Sequence, residues 1–360
     1  MKKILLNAYI NLNFGDDLFL KILFERYPNV TWVLPKGGDT YKEVFKNYNN
    51  VIIKNDIFFK VKNKLRITEK NSIFNRYDAG LYIGGSIFMQ IPEWKEQYKR
   101  REKVINSFAR QNKPYFILGS NFGPYEDKIF KQKYELLLNK CKDICFRDKN
   151  SYNLFKKNCN TRLAPDIVFQ LETGNVNKIS NTIGISMIEL DNRENLKEYK
   201  SIYLEKIKNI VEKGIEEGKK ITFFSFCEEQ GDLKIINELV EMMNIQYKKY
   251  ISIVNYTGNI DEFLIEFSKM ENIIGTRFHA CILSQVFQQG LYPIIYSDKT
   301  YNVLKDIGLD NEYTYIKDLI NIDEDNVLNI ISKNKLNNLF IFEEAQKQFE
   351  ELDKYVSKSE

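Results

Sequence analysis

Arg277 and His279 stand two positions apart in the run Ile273-Ile274-Gly275-Thr276-Arg277-Phe278-His279-Ala280, and His279 is the only histidine among 360 residues. An arginine's planar fork grips a carboxylate or phosphate through parallel hydrogen bonds, and an imidazole exchanges a proton near neutral pH. Together they suit a reaction that binds an anion and moves a proton. The flanking pattern supplies a frame. Asp261 to Lys269 has helical spacing of apolar residues, Met270 to Ile274 reads as a short buried strand, and Ala280, Leu283, Ser284 and Phe287 recur as in a helix. A strand, a Gly275-Thr276 turn and a helix start make a crest where backbone N–H groups and the helix dipole favour an anion. Residues i and i+2 share a side only in extended chain. A joint site therefore requires the turn to stay extended through Phe278 and the helix to begin about Ala280. The alternative is an arginine and a histidine that merely cap a helix.

Other loops repeat this plan at the carboxyl ends of expected strands, the edge where α/β proteins bind ligands. After Lys3–Ala8 comes a turn and a helix from Leu18 to Tyr27. Asn13, Gly15 and Asp16 there suit a hydroxyl-rich ligand, unless Asp16 or Asp17 simply caps the helix. The strand from Asp78 ends in Gly84-Gly85-Ser86, which permits close approach of a ligand or makes a tight turn. Tyr115–Gly119 leads into Ser120-Asn121-Phe122-Gly123-Pro124. Asp143–Phe146 leads to Arg147, either a second anion contact or the surface partner of Asp148. Tyr292–Tyr296 leads to Lys299 beside the Arg277/His279 crest, since consecutive parallel strands are usually neighbours; the alternative is a loop lysine. The basic stretch from Lys60 to Lys70 reads as a solvated face or as an attractor of anions.

The composition narrows the classes. Five cysteines with no C-x-x-C pair and a single histidine argue against a zinc site and fit free thiols in a reducing compartment. No secretory h-region forms after Met1-Lys2-Lys3, because Asn7 interrupts the apolar run, and no apolar stretch reaches bilayer length. A cytoplasmic protein is expected. A net charge of +4 is small beside 53 basic and 49 acidic side chains, and does not argue for nucleic acid. Alternating helical and strand-like stretches favour an α/β class with parallel sheets, and the length favours two domains. The polar run from Glu172 to Asn181 places the boundary, giving domains 1–172 and 173–325 followed by a helical, charged tail over 326–360.

Taken in order, these pieces resemble the polysaccharide pyruvyl transferase family. The matching residues are N-x-G-D at Asn13 to Asp16, Gly84 to Ser86, Gly119 to Pro124, Arg147 to Ser151, Pro165-Asp166, Gly275-x-Arg277-x-His279 and Tyr296 to Lys299. The resemblance implies two Rossmann-like domains facing a cleft, as in GT-B glycosyltransferases. It also implies phosphoenolpyruvate as donor and a saccharide acceptor, free or lipid-linked at the inner face of a membrane, with a pyruvate ketal as product. Arg277 and His279 take the catalytic positions. Arg147, Gly275, Thr276 and Lys299 join Arg277 around the donor, and no metal or cofactor is called for. Asn13, Gly15, Asp16, Gly84, Gly85, Ser86 and Asn121 fall to the acceptor. Ser86 and Ser120-Asn121 depart from the family pattern, which leaves acceptor identity open. Two other classes compete: a GT-B glycosyltransferase using a nucleotide sugar, and a glycan-binding relative without turnover.

Overall fold

The computed structural model describes residues 1–55, 73–157, 159–174, 176–193, 195–336 and 339–358, so the basic stretch 60–70 lies outside the described residues. The chain forms two compact units. The first comprises Met1–Ile10, Asp16–Gln170 and Phe340–Glu360, the second Asn11–Gly15 and Leu171–Leu339. The tail expected over 326–360 is thus divided, its first part belonging to the second unit and its last part to the first. Residues 11–15, expected in the N-terminal domain, also belong to the second unit.

In the first unit, strands β1 (Lys3–Asn7), β2 (Thr31–Leu34), β3 (Val51–Ile53), β4 (Ala79–Ile83), β5 (Tyr115–Ser120), β6 (Asp143–Phe146) and β7 (Thr161–Leu163) form one sheet in the order β3-β2-β1-β4-β5-β6-β7. Every pairing is parallel. The second unit repeats the plan with β8 (Ile179–Ser186), β9 (Lys220–Ser225), β10 (Ile251–Asn255), β11 (Met270–Gly275), β12 (Gly290–Ile295) and β13 (Thr314–Tyr315), in the order β10-β9-β8-β11-β12-β13. Both orders reverse direction after the third strand, which puts the switch point between β1 and β4 and between β8 and β11. That switch point is where open α/β sheets bind ligands. Central strands such as Tyr115–Ser120 and Gly290–Ile295 are buried along their whole length, as parallel strands covered on both faces must be.

Helix Phe14–Arg26 begins four residues before Leu18, because Asn13 caps it: its side-chain oxygen accepts the N–H of Gly15 at 3.1 Å. Helix Trp94–Ala109 is one that composition hides, since only Trp94, Tyr98, Ile105 and Phe108 of a charge-rich run are buried. The last residues lock onto the first unit. Gln348, fully buried, accepts the N–H of Gly119 at 3.1 Å and donates to the carbonyls of Ala164 and Pro165 at 2.9 and 3.0 Å. It thereby ties the end of β5 to the loop after β7. Among the described residues no helix is long and apolar enough to cross a membrane.

Candidate active site

The crest after β11 differs from the expected one in where its helix begins. Arg277 is extended (φ −70°, ψ 132°) and serves as the N-cap of helix Phe278–Val286; its carbonyl accepts the N–H groups of Ala280 and Cys281. His279 is therefore the second helical residue. One side chain lies on extended chain and the other on a helix, so the two diverge.

Arg277 turns inward and is 7% exposed. Its Nε and Nη2 embrace the carboxylate of Asp232, which is fully buried, and its Nη1 donates to Gln230 at 2.6 Å. The fork expected to clamp a donor is thus engaged by a residue of its own unit. Asp232 also accepts the backbone N–H groups of Phe226 and Cys227, each at 3.1 Å. Burial opposes the charge on Arg277, but the Asp232 carboxylate outweighs it and lifts the guanidinium above its usual pKa. Thr276 is buried too, with its hydroxyl 2.9 Å from that of Tyr203. The N–H groups of Thr276 and Arg277 donate to the hydroxyl of Ser186 at 3.1 and 3.2 Å, and the carbonyl of Gly275 accepts from the Cys281 thiol. Burial pushes that thiol up to about 12, so it stays protonated.

His279 packs against Gly15. A Cβ added at Gly15 would lie 1.7 Å from the imidazole Nδ1 and 2.4 Å from Cγ. No side chain fits there unless the imidazole moves, which gives the glycine of N-x-G-D a physical reason. The preceding residue anchors this approach. Phe14 is fully buried against the rings of Phe226, Tyr256 and Phe263, and its N–H donates to the Phe226 carbonyl at 3.0 Å. A closed path results: Arg277 holds Asp232, Asp232 holds Phe226, Phe226 holds Phe14, and the next residue presses on His279.

Two more features border the crest. Lys299 is the second residue of helix Asp298–Asp306, after β12, and its ammonium lies 5.5 Å from the centre of the Phe278 ring. After β8, Glu189 is buried and accepts the N–H groups of Leu190 and Asp191 at 2.8 and 3.1 Å. Lys200 and Lys234 pair with the carboxylates of Glu189 and Asp191. Hydrogen bonds from these two lysines hold Asp191 at about 2.

The remaining expected site residues assemble in the first unit. The guanidinium of Arg147 is buried, donating to Asp166 at 2.8 Å and to the side-chain oxygen of Asn121 at 2.9 Å. A Cβ at Gly85 would lie 2.4 Å from its Nη2, so Gly85 is required for the guanidinium to lie against the chain. Ser86 reaches Asn121 at 3.4 Å, and the N–H of Asn121 donates to the Gly85 carbonyl at 2.8 Å. The carboxylate of Asp16 borders Gly84. Within the first unit Arg147 thus keeps company with Gly85, Asn121 and Asp166. Asp148 caps the helix that follows, accepting the N–H of Ser151 at 2.8 Å. Asp232, Asp166, Ser186 and Glu189 escaped the sequence reading as site residues. Asp232 looks like an ordinary helix start, and only its tertiary pairing with Arg277 gives it a role. Among the described residues no group of three or more His, Cys, Asp or Glu side chains is arranged to hold a metal ion.

Both sheets and their order belong to the Rossmann plan, and the chain shares its fold with structures of the GT-B type. The UDP-GlcNAc 2-epimerase of Methanocaldococcus jannaschii matches with a TM-score of 0.61 and 12% identity, over 98% of this chain and 99% of that one. HepE of Anabaena, solved with UDP, matches with a TM-score of 0.57 and 10% identity, over 99% of this chain and all of that one. The family follows from sequence: residues 13–298 match the polysaccharide pyruvyl transferase model, and the chain belongs to that family. The amylovoran biosynthesis protein AmsJ of Erwinia amylovora is 24% identical over 259 residues, 65% of this chain. The match spans 60% of the length of AmsJ.

Proposed function

We propose that the protein transfers the pyruvyl group of phosphoenolpyruvate to a sugar of a surface polysaccharide or its lipid-linked precursor, forming a pyruvate ketal. One sugar hydroxyl adds to C2 of the enol phosphate while a proton is delivered to C3. A second hydroxyl of the same sugar then displaces phosphate from C2 and loses its proton. The products are the ketal and inorganic phosphate. The observation that carries this proposal is the meeting of two family motifs in one unit, with Gly15 of N-x-G-D pressed on the imidazole of Arg277-x-His279.

His279 is the group that moves the proton, a role worth on the order of 10²–10⁴ in rate. Lys299 and the amino-termini of helices Phe278–Val286 and Asp298–Asp306 attract the donor's carboxylate and phosphate. Arg277, whose fork is engaged by Asp232, acts as a positioning residue that fixes the crest from which His279 projects. Arg147 does the same for the Gly84–Ser86 loop, which together with Asn121 and Asp16 offers polar groups to sugar hydroxyls. The test is release of inorganic phosphate from phosphoenolpyruvate against a panel of lipid-linked sugars, with the ketal methyl group followed by NMR. Release that depends on one acceptor and vanishes in His279→Asn is expected. Consumption of a nucleotide sugar with phosphoenolpyruvate untouched would replace this function with glycosyl transfer.

A further inference from the structure

A depression beside β13 in the second unit is built from residues that the proposed chemistry leaves unused. It encloses about 430 Å³ and is lined by Asn311, Tyr313, Tyr315, Asp318 and Asn321 among others, a volume within the ~300–1,000 Å³ of ordinary small-ligand sites. The rings of Tyr301, Tyr313 and Tyr315 form a triangle, with centroids 5.4, 5.6 and 6.0 Å apart. All three tyrosines are half-buried, while Asn311, Asp318 and Asn321 are exposed. Lys305 and Lys317 lie over Tyr301 and Tyr315, and among the described residues no cation lies over Tyr313. Burial and then the nearby Asp298 carboxylate push the Tyr315 phenol up to about 12, so it remains a neutral hydroxyl at physiological pH.

The ligand class follows from this lining. No lining residue is basic and Asp318 is acidic, which disfavours an anion. A pyranose presents an apolar C–H face, which the negative face of an aromatic ring attracts, and a rim of hydroxyls that both donate and accept. Two amides and a carboxylate meet that rim. Position points the same way. Tyr315 pairs in register with Ile295, so the depression lies at the carboxyl end of the sheet, next to the strand that leads to Lys299.

We propose that this depression is a saccharide subsite, taking a neutral pyranose of the acceptor glycan with its C–H face on Tyr313 and its hydroxyls on Asp318, Asn311 and Asn321. Its use in catalysis rests on the pyruvyl transfer proposed above; its binding of sugar does not. Saturation-transfer NMR on the full chain, with methyl β-galactopyranoside, methyl α-mannopyranoside and lactose as probes, tests it. At least one probe is expected to receive saturation, and Tyr313→Ala and Asp318→Ala to weaken its Kd about tenfold each, the equivalent of one hydrogen bond or stacking contact. The melting temperature should stay near that of the parent, and Asp318→Ala serves alone if Tyr313→Ala unfolds. Saturation of none of the probes, or parental affinity in both variants, overturns the subsite whether or not pyruvyl transfer is observed. Saturation transfer that the parent shows and the variants weaken upholds it, even in a protein that releases no phosphate from phosphoenolpyruvate.

Discussion

Gly15→Ala is the sharpest perturbation the structure offers, because it adds one methyl group and aims it at the only imidazole. The new Cβ would stand 1.7, 2.4 and 2.5 Å from Nδ1, Cγ and Cε1 of His279. Non-bonded carbon atoms ordinarily lie about 3.5–4.0 Å apart, so the ring must retreat by roughly 2 Å or rotate out of its rotamer. Gly15 does not have a positive φ, so the backbone itself accepts alanine. Overpacking of this kind costs about 1–3 kcal/mol, part of which is offset by up to ~1 kcal/mol from alanine's greater helix propensity. The protein should therefore fold, with a modest drop in melting temperature. Catalysis should suffer more, since a 1 Å misplacement of a catalytic group costs about 10²-fold. We expect kcat for acceptor-dependent phosphate release to fall at least about 100-fold, and the single imidazole resonance to shift in ¹H–¹⁵N spectra. Adding His279→Asn to Gly15→Ala should bring little further loss, because both remove the same function. Parental kcat alongside a displaced ring signal would refute the catalytic role of His279, and an unmoved signal would refute the packing.

Four further outcomes follow from the same geometry. Binding of phosphoenolpyruvate beside His279 should raise that imidazole's pKa and take up protons near neutrality, so donor affinity declines as pH rises through the complex's pKa; identical titration with and without ligand refutes the proximity. Arg277→Leu leaves the Asp232 carboxylate buried without its cation and should destabilise the second unit by about 3–5 kcal/mol in denaturant melts, and a parental melt would refute the pairing. Asp191, held down to about 2 chiefly by its hydrogen bonds to Lys200 and Lys234, contributes stability that is present above its ordinary 3.8 and is lost as pH falls toward 2. Asp191→Asn should flatten the melting curve's acid limb in that window, and an unchanged limb refutes the linkage. Gln348→Leu strands the Gly119 N–H and the Ala164 and Pro165 carbonyls, and should cost the first unit about 1–3 kcal/mol; amide exchange at Gly119 equal to the parent's refutes this.

Periodicity and turn chemistry made the elements legible, because strands buried on both faces, such as Gly290–Ile295, are continuous apolar runs. Helix boundaries were less so. The start at Phe14 depends on Asn13 as cap, and the start at Phe278 on an arginine, a residue type with no capping preference. Residue types marked candidate positions, and only tertiary pairing showed which side chains meet. Nothing in Asn11 to Gly15 announces that Phe14 inserts among Phe226, Tyr256 and Phe263 more than two hundred positions later, since an aromatic beside a glycine is equally consistent with an ordinary turn. The same holds for Arg147, whose partners Asn121 and Asp166 lie on loops after different strands.

The two residues of the Arg-x-His spacing do different work because the helix begins between them. An extended N-cap aims its side chain into the unit, while the second helical residue projects from the helix. Arg277 therefore meets Asp232 and His279 meets Gly15. The hydrogen bonds that join Asp232 to Phe226, and Phe226 to Phe14, return the path to the imidazole. Truncating this path should separate stability from catalysis. Replacing Arg277 and Asp232 together by leucine removes the stranded charge and should restore much of the stability that Arg277→Leu alone loses, since buried ion pairs are often matched by apolar packing. It also removes the acceptor that holds the Phe226 and Cys227 N–H groups, so the Phe14-Gly15 segment should lose its fixed approach to His279. The double variant should then melt between Arg277→Leu and the parent, short of the parent by the cost of the two stranded N–H groups, yet release phosphate at least about tenfold more slowly, an effect on geometry that a 1 Å drift suffices to produce. A double variant as active as the parent would show that Arg277 and Asp232 serve folding alone, and that His279 owes its placement to the helix and to Gly15 without them.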